Sequence, residues 1–284
     1  MASFIPRWKK LKKTKLLLFL LLPLGVLANI NVKHSPIPGG IAVVDFYTNH
    51  SNPKAFYSQV PVYTQKVNNT HWQALVGIPL FAKIGEKKII IKDFSTRHIA
   101  FNVTEHDYKK QYITLKGKNK KYVNPNLLQM DRINQERPIL SKARKVFSNI
   151  IMNKEAFIRP VSGVTTSPFG FKRFYNGQAR RPHTGLDYAG DIGTEIKASG
   201  GGKVIISDEF FFNGNAVFID HGQGLISVYI HMNKRLVVPG QIVKQGDIIG
   251  TIGQTGRATG PHLHFGIYLN QTVINPNLLI NHEI

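Results

Sequence analysis

The 284-residue chain contains no cysteine. Disulfide bonds, cysteine-ligated zinc sites and thiol nucleophiles are therefore excluded, and histidine, aspartate and glutamate remain as the strong metal ligands. The sequence HExxH, whose glutamate serves as the general base of many metalloproteases, is also missing. Any metal-dependent hydrolysis by this chain would need a different base, and histidine is the available residue type.

Acidic residues are scarce, with 16 Asp and Glu against 37 Lys and Arg, a formal net charge of +21. Residues 1–28 carry 6 basic residues and no acid, residues 29–158 carry 20 basic residues against 8 acids (+12), and residues 159–284 carry 11 against 8 (+3). Outside the cytoplasm, such a basic front half suits an anionic envelope polymer or membrane surface better than nucleic acid. The alternative is a solvated surface that only keeps the protein soluble.

Long apolar runs are also absent. The longest begins at Leu16, after the basic residues of the first 15 positions, and ends at Ala28. About a dozen apolar residues between a basic segment and small residues are typical of a signal peptide, whereas a spanning helix needs ~20. We therefore predict a signal peptide over residues 1–28, with an uncleaved inner-membrane anchor as the alternative. Both place the rest of the chain in the periplasm or cell envelope.

Residues 29–122 contain short runs rich in β-branched and aromatic residues, separated by Asn, Gly, Lys and Pro. This pattern predicts an N-terminal β domain resembling a sandwich. Its histidines show no metal-ligand spacing, and we expect them on the surface or in strands (His34, His50, His71, His98 and His106). The predicted strands are 41–47, 59–63, 72–78, 88–91, 98–103 and 112–115.

The spacing of apolar residues changes in residues 123–158, and the new pattern predicts a helical connector. From Ile139 onward, apolar residues recur at three- and four-residue steps, as in an amphipathic helix. Pro138 suits the first turn of that helix, and residues 131–137 would form a shorter helix before it.

Residues 159–284 are rich in glycine and again in strand-like runs, which predicts a C-terminal antiparallel β domain. The fold class is thus mainly β. We expect residues 220–224 to form a hairpin turn that carries His221.

Three histidine-bearing segments in this last region have the chemistry of a metal site. His262 and His264 are two residues apart in a predicted strand, so both point to one face. Alone, such a pair could equally be two half-buried strand histidines. However, His183 and Asp187 form an HxxxD pattern and His231 ends another apolar strand. Imidazole and carboxylate are the ligands of a catalytic zinc, whose fourth position is left to water.

These segments resemble the motifs of the lysostaphin/LytM-type zinc metallopeptidases, in their usual order, over roughly residues 159–276. The motifs are SPFG from Ser167, HTGLD from His183, YIHM from Tyr229 and GQTGRATGPHLHF from Gly253. More weakly, the front half resembles the β domain that precedes this module in exported Gram-negative members. Two mild departures, Met232 in place of leucine and Arg180–Arg181 before the first ligand, remove no ligand.

The resemblance implies a Zn²⁺ ion bound by His183, Asp187 and His264. It also implies that His231 and His262 stay off the metal, where they position or deprotonate water and stabilise the oxyanion. Which of these two is the base stays open. The function implied is hydrolysis of peptide cross-links in peptidoglycan, for remodelling of the cell wall.

Two other functions are compatible with the sequence. The first is a LytM-like non-catalytic activator of another wall hydrolase, but such modules typically lose ligands and all five residues are present here. The second is an envelope-binding adaptor that works through the basic front half. We also expect the front half or the connector to cover part of the substrate groove, because unrestrained wall cleavage would kill the cell.

Overall fold

The computed structural model describes residues 29–149 and 155–281, so the signal peptide predicted for residues 1–28 lies outside the described residues. The described chain is mainly β, as the sequence predicts, with one α-helix and two 3-10 helices in these ranges. None of the described helices combines the length and apolar character needed to cross a bilayer.

The N-terminal region forms one antiparallel sheet of six strands in the order β1-β4-β3-β2-β5-β6. The two edge strands contact each other, so the sheet curls until it is nearly closed. Five of these strands were predicted, whereas the short β2 was not, because it has only four residues. The interior of the curled six-stranded sheet is filled by apolar side chains that include Phe46, Trp72 and Ile89. The strands are β1 (Ile41–Tyr47), β2 (Lys54–Tyr57), β3 (Val60–Lys66), β4 (His71–Gly77), β5 (Gly85–Lys92) and β6 (Thr96–Val103).

The next strand, β7 (Lys110–Ile113), leaves this sheet. It pairs in parallel with β9 (Lys172–Tyr175), and β10 (Gln178–Ala179) lies on the other side of β9. The sequence predicted a strand here but grouped it with the N-terminal sheet. The domain boundary at 122 stays a prediction, and β7 itself is bonded to the C-terminal half.

A single helix, α1 (Leu127–Arg144), follows a 3-10 helix (Gly117–Tyr122). The expectation of two helices divided at Pro138 is wrong, because Pro138 lies inside α1. The helix begins earlier, where the Asn126 side chain accepts from the Gln129 backbone N–H and the Gln129 side chain accepts in return from the Asn126 N–H. It also ends at Arg144, so residues 145–149 are not helical, and residues 150–154 of the predicted connector lie outside the described residues.

The C-terminal region is an antiparallel sheet of ten strands, which confirms the predicted class. Its main path is β16-β13-β14-β15-β18-β11-β8, with β12, β17 and β19 branching from it. Its bounds are β8 (Thr165–Ser167), β11 (Leu186–Ala189), β12 (Glu195–Lys197), β13 (Gly202–Phe210), β14 (Gly214–Gly222), β15 (Leu225–Arg235), β16 (Ile242–Val243), β17 (Ile248–Ile252), β18 (His262–Leu269) and β19 (Thr272–Ile274), followed by a 3-10 helix (Pro276–Leu278).

The two sheets are joined by side-chain amide contacts, one pair buried and the other partly buried. The Asn270 side chain accepts from Gly77 N at 2.7 Å and donates to Gly77 O at 3.1 Å. The Gln223 side chain makes the same pair of bonds with the Thr64 backbone, at 3.0 Å each. A side-chain amide that satisfies both backbone groups of one residue mimics strand pairing. These contacts hold the N-terminal sheet against one end of the C-terminal sheet.

His221 lies in β14 and is fully buried, so its assignment to the turn is wrong. Its Nδ1 lies 2.7 Å from Gly201 O and its Nε2 lies 2.8 Å from Ser227 Oγ. Both ring nitrogens are therefore satisfied within the core. Burial lowers the pKa of His221 to about 4, which keeps the ring neutral.

Candidate metal centre

Two neighbouring strands carry most of the candidate site. In the antiparallel pair β11 and β18, Asp187 lies opposite His264 and Ala189 lies opposite His262. Side chains of opposed residues share one face of the sheet, which brings a carboxylate and an imidazole together. His183 enters from the segment before β11, and β15 pairs with the other edge of β18 and ends its buried stretch near His231.

Three side chains converge on one point. His183 Nε2 lies 2.9 Å from Asp187 Oδ1, His264 Nδ1 lies 2.8 Å from the same oxygen, and the two ring nitrogens are 2.9 Å apart. The ligand atoms of the three residues all lie within 4.8 Å of one another, and all three residues are buried. Among the described residues this is the group of histidines and acids that could hold a metal ion.

The surroundings of His183 decide which of its nitrogens is available. Its Nδ1 lies 2.7 Å from the carbonyl oxygen of Pro168, which can only accept a hydrogen bond. Nδ1 therefore carries a hydrogen, and Nε2 is the ring nitrogen that faces Asp187 and His264. This carbonyl belongs to the SPFG segment, and it gives that motif a role in orienting the ring.

His231 and His262 lie beside this group, with their ring centroids 4.9 Å apart. His231 Nδ1 lies 2.8 Å from Thr255 O, and His262 Nδ1 lies 2.8 Å from Gly260 O. In both rings Nδ1–H donates to a backbone carbonyl, which leaves Nε2 as the nitrogen without a backbone partner. The Nε2 atom of His262 is 3.9 Å from Asp187 Oδ1, so it points toward the three converging residues.

The His231 backbone has a φ of +65°, a left-handed conformation that is uncommon for a residue other than glycine. The His231 N–H donates to Asn213 O at 2.9 Å, which holds this conformation in place. Such backbone strain is often found at functional sites. Burial, followed by the charges of His262 and His264, lowers the pKa of His231 well below its usual value, so the ring is neutral.

The electrostatics of the group favour an ionised carboxylate and a neutral His264 ring. Burial acts to raise the pKa of Asp187, but hydrogen bonds and charge from His183 and His264 outweigh it and hold that pKa well below its usual range. Burial lowers the pKa of His264 to about 4, although Asp187 acts in the opposite direction. The result is an ionised carboxylate flanked by two imidazole nitrogens at a single point.

Arg173 is a residue of the site that the sequence did not reveal. Its Nη2 donates to Asp187 Oδ2 at 2.7 Å and to Ser167 Oγ at 3.1 Å, and its Nε donates to Gln111 Oε1 at 3.0 Å. Arg173 thus donates to the carboxylate oxygen of Asp187 that does not face the histidines. No spacing rule links an arginine in β9 to an aspartate in β11, and the position of Arg173 shortly after SPFG was the one available signal.

An open cleft of about 260 Å³ borders these residues. Asp187, His231 and His262 line it, together with the loop at 259–261 before β18 and residues of β8 and β9. Two residues of β7, Gln111 and Ile113, form part of its wall. The last strand of the front half thus lies at the cleft, where the sequence led us to expect a cover.

All five residues predicted from the sequence therefore meet at one site: His183, Asp187 and His264 as a converging trio, with His231 and His262 beside it. Tyr175 also lines the cleft. Its ring stacks under the Arg257 guanidinium, 4.9 Å from the ring centroid.

Comparison with known families gives two matches on this chain. Residues 181–276 match the family described as Peptidase family M23, and residues 34–106 match the Peptidase family M23 N-terminal domain. The first match contains all five site residues. The second covers the six-stranded N-terminal sheet.

Curated relatives resemble part of the chain. The chain is 42% identical over 133 residues to the peptidoglycan DD-endopeptidase ShyC of Vibrio cholerae, which covers 43% of this chain and 29% of ShyC. It is 39% identical over 111 residues to the DD-carboxypeptidase/endopeptidase Mpg of Neisseria meningitidis, covering 39% of this chain and 26% of Mpg. The chain thus spans less than a third of the length of these relatives.

A solved structure resembles nearly the whole molecule. The crystal structure assigned to peptidase M23 from Pseudomonas aeruginosa superposes with a TM-score of 0.74 at 36% sequence identity. The superposition covers 87% of this chain and 96% of that chain. The likeness therefore includes the N-terminal sheet as well as the site.

Proposed function

This chain belongs to peptidase family M23, and on that premise we propose that it is an exported zinc endopeptidase that hydrolyses peptide cross-links of peptidoglycan. The observation that carries the proposal is the convergence of His183 Nε2, Asp187 Oδ1 and His264 Nδ1 on one point beside an open cleft. The substrate class is supported by the peptidoglycan endopeptidase ShyC, which is similar to this chain.

The donor set fits zinc. Two imidazole nitrogens and one carboxylate oxygen are the ligands that zinc takes in catalytic sites, where three protein ligands leave one position open. His183 has the tautomer this requires, because Pro168 O holds its Nδ1 proton. Arg173 leaves Asp187 Oδ1 available by occupying Oδ2. A zinc ion bound there would lower the pKa of water and polarise the substrate carbonyl.

His231 and His262 would carry out the proton transfers of the reaction. In both rings Nδ1 donates to a backbone carbonyl, so Nε2 is the nitrogen left to exchange protons in the cleft. A neutral imidazole can accept a proton from the attacking water and, once charged, can donate to the oxyanion or the leaving amine. His262 lines the cleft and is half-buried, whereas His231 is buried. We assign the pair to these roles together.

The loop before β18 is built for a peptide to approach its backbone. A Cβ atom at Gly253 or Gly256 would collide with backbone at 2.4 and 2.3 Å, so these two glycines serve close packing. Gly260 differs, since a Cβ there would meet no atom within 4 Å. Gly260 lines the cleft, and its open surroundings leave room for an extended substrate strand.

The location of the enzyme follows from two features of the sequence. The signal peptide proposed for residues 1–28 would take the chain to the periplasm or leave it anchored in the inner membrane. The net charge of +12 on residues 29–158 would then help to hold it on anionic envelope surfaces. Both are compatible with a peptidoglycan substrate.

The test is digestion of purified sacculi by the zinc-loaded protein, with and without a chelator, followed by mass spectrometry of the released fragments. We expect uncross-linked peptides in the zinc-loaded reaction and a strong reduction with chelator. A zinc-replete protein that leaves sacculi intact but accelerates another hydrolase would overturn the proposal in favour of an activator.

A further inference from the structure

A second cavity, of about 450 Å³, lies between α1 and the C-terminal sheet. We call it the arginine pocket, because five arginines line it and Glu136 is its one acidic lining residue. The arginines come from three separate parts of the chain: Arg137 and Arg144 from α1, Arg180 and Arg181 from the segment before His183, and Arg257 from the loop before β18.

None of these five guanidinium groups is paired with a carboxylate of a described residue. Arg144 and Arg180 donate to backbone carbonyls, including Leu140 O and Val123 O. Arg137 and Arg181 are exposed and make no ion pair or side-chain hydrogen bond within the described ranges. The Glu136 carboxylate accepts instead from Arg132 Nε at 2.6 Å and from Phe211 N. Five cations are therefore gathered without a counter-ion among the described residues, which favours the binding of an anion.

Most of the other residues that line the pocket are aromatic or aliphatic. They include Phe210, Phe212, Phe218 and Tyr268 as well as Leu140. A cavity of this volume is large enough for an organic ligand. Arginine forks bind planar carboxylates in a bidentate manner, while the aromatic wall suits the aliphatic part of the same ligand. The fitting ligand carries carboxylates on a partly apolar body.

Arg257 connects this pocket with the cleft beside the metal centre, because it lines both. Its guanidinium lies between two rings, 4.9 Å from the centroid of Tyr175 on the cleft side and 4.9 Å from that of Phe212 on the pocket side. No described residue offers it a carboxylate. A peptide held in the cleft therefore lies one side chain away from the arginine pocket.

We propose that the arginine pocket binds free carboxylates of an acidic peptide, which is a part of the substrate strand remote from the bond that is cut. The inference rests on the proposed function, since peptidoglycan peptides carry free carboxylates beside short aliphatic side chains. Phosphate also pairs with arginine, but a peptide cross-link contains none. The pocket would thus select acidic peptide strands over neutral ones.

Direct binding tests the pocket without any cleavage. The probes are a monomeric tetrapeptide stem with free carboxylates and the same peptide with its carboxylates amidated, each titrated calorimetrically into the full-length zinc-loaded protein. For wild type we expect amidation to weaken binding about tenfold, as for hydrogen bonds to a charged group. The double variant Arg137→Gln/Arg181→Gln should bind both peptides equally, at the level of the amidated one.

Two further variants control for folding. Arg137→Lys/Arg181→Lys should restore most of the preference for the acidic peptide, because the charge is kept. Lys142→Gln removes an exposed cation from the same helix outside the pocket and should bind as wild type does.

Cleavage of a cross-linked dimer provides the kinetic test. The glutamine double variant should raise KM about tenfold with kcat unchanged, since the arginines bind a remote part of the substrate. Equal binding of free and amidated peptides by wild type would overturn the proposal. So would an undiminished preference in the double variant, or competition by inorganic phosphate with no binding of the peptide. Arginine-dependent binding without any hydrolysis would instead refute the proposed function and leave the pocket assigned.

Discussion

Arg173 and Asp187 form an ion pair with Nη2 and Oδ2 2.7 Å apart, on the carboxylate oxygen that faces away from His183 and His264. Both side chains are largely buried. The arginine thus fixes the rotation of the carboxylate and leaves Oδ1 toward the two imidazoles. It acts as a positioning residue, because it contacts the proposed ligand Asp187 through the oxygen that faces away from the two imidazoles.

We predict that Arg173→Gln weakens zinc binding about 10- to 100-fold, the usual effect of removing a partner of a metal ligand. Arg173→Lys should recover only part of this loss, since an ammonium cannot reproduce the fork that also reaches Gln111. Competition with a zinc-sensitive dye measures the affinity. Lys172→Gln is the matched control, because Lys172 pairs with exposed Asp107 at the surface; an equal loss of affinity there would contradict the positioning role.

The five site residues should separate into two functional groups. Replacing His183 or His264 by alanine should abolish stoichiometric zinc binding, because each supplies one of three converging ligand atoms. His231→Ala and His262→Ala should retain zinc and lose about 10²- to 10⁴-fold in kcat, the usual contribution of a general acid or base. Metal analysis combined with steady-state kinetics distinguishes the groups. Loss of zinc from the His231 variant would show that its ring is a ligand.

The covering role of the front half can be tested at β7. A protein that begins at Arg159 lacks Gln111 and Ile113, which form part of the cleft wall. We expect it to hydrolyse cross-linked peptides faster than the full-length protein. Equal specific activity would speak against a cover.

Removal of β7 also exposes the edge of β9, so a point variant is needed beside the truncation. Ile113→Ala in the full-length protein enlarges the cleft and should raise activity on bulky substrates. Tyr112→Ala on the same strand is the control, since Tyr112 is exposed, does not line the cleft and stacks on Phe174.

His221 should make the native state sensitive to acid. Its pKa is about 4 in the folded protein, against 6.5 for a free side chain. Between pH 6.5 and 4 the unfolded chain therefore binds a proton that the native state does not, and stability falls as the pH falls. The loss is about 3 kcal/mol at its full extent; above pH 6.5 this contribution is fully present.

The measurement is urea unfolding from pH 4 to 7.5 with a chelator present, so that metal release does not contribute. The variant His221→Gln lacks this titrating side chain. Its free energy of unfolding should therefore change less with pH than that of wild type over the same range. The free-energy gap between the two proteins should narrow toward pH 4. Parallel profiles would mean that folding does not lower the pKa of His221.

The local sequence was sufficient where local rules decide the structure. Alternation along a strand places His262 and His264 on one face, and glycine- and β-branched-rich segments mark most of the strands. The family motifs added the pairing with His183, Asp187 and His231. The helical connector was predicted as a type, but its division at Pro138 was wrong, since a capping box at Asn126 and ion pairs of Arg132 with Glu136 and Glu209 support one continuous helix.

What the sequence by itself determined is therefore the mainly β class and the five residues of the site, because strand periodicity and short motifs act over a few neighbouring positions. The tertiary structure alone decided that Arg173 holds Asp187, that β7 joins β9, and that five arginines surround one pocket. Each of these contacts joins segments that no short-range pattern relates. Strand pairing and charge clustering depend on where distant parts of the chain meet, and only the packed sheets bring those parts together.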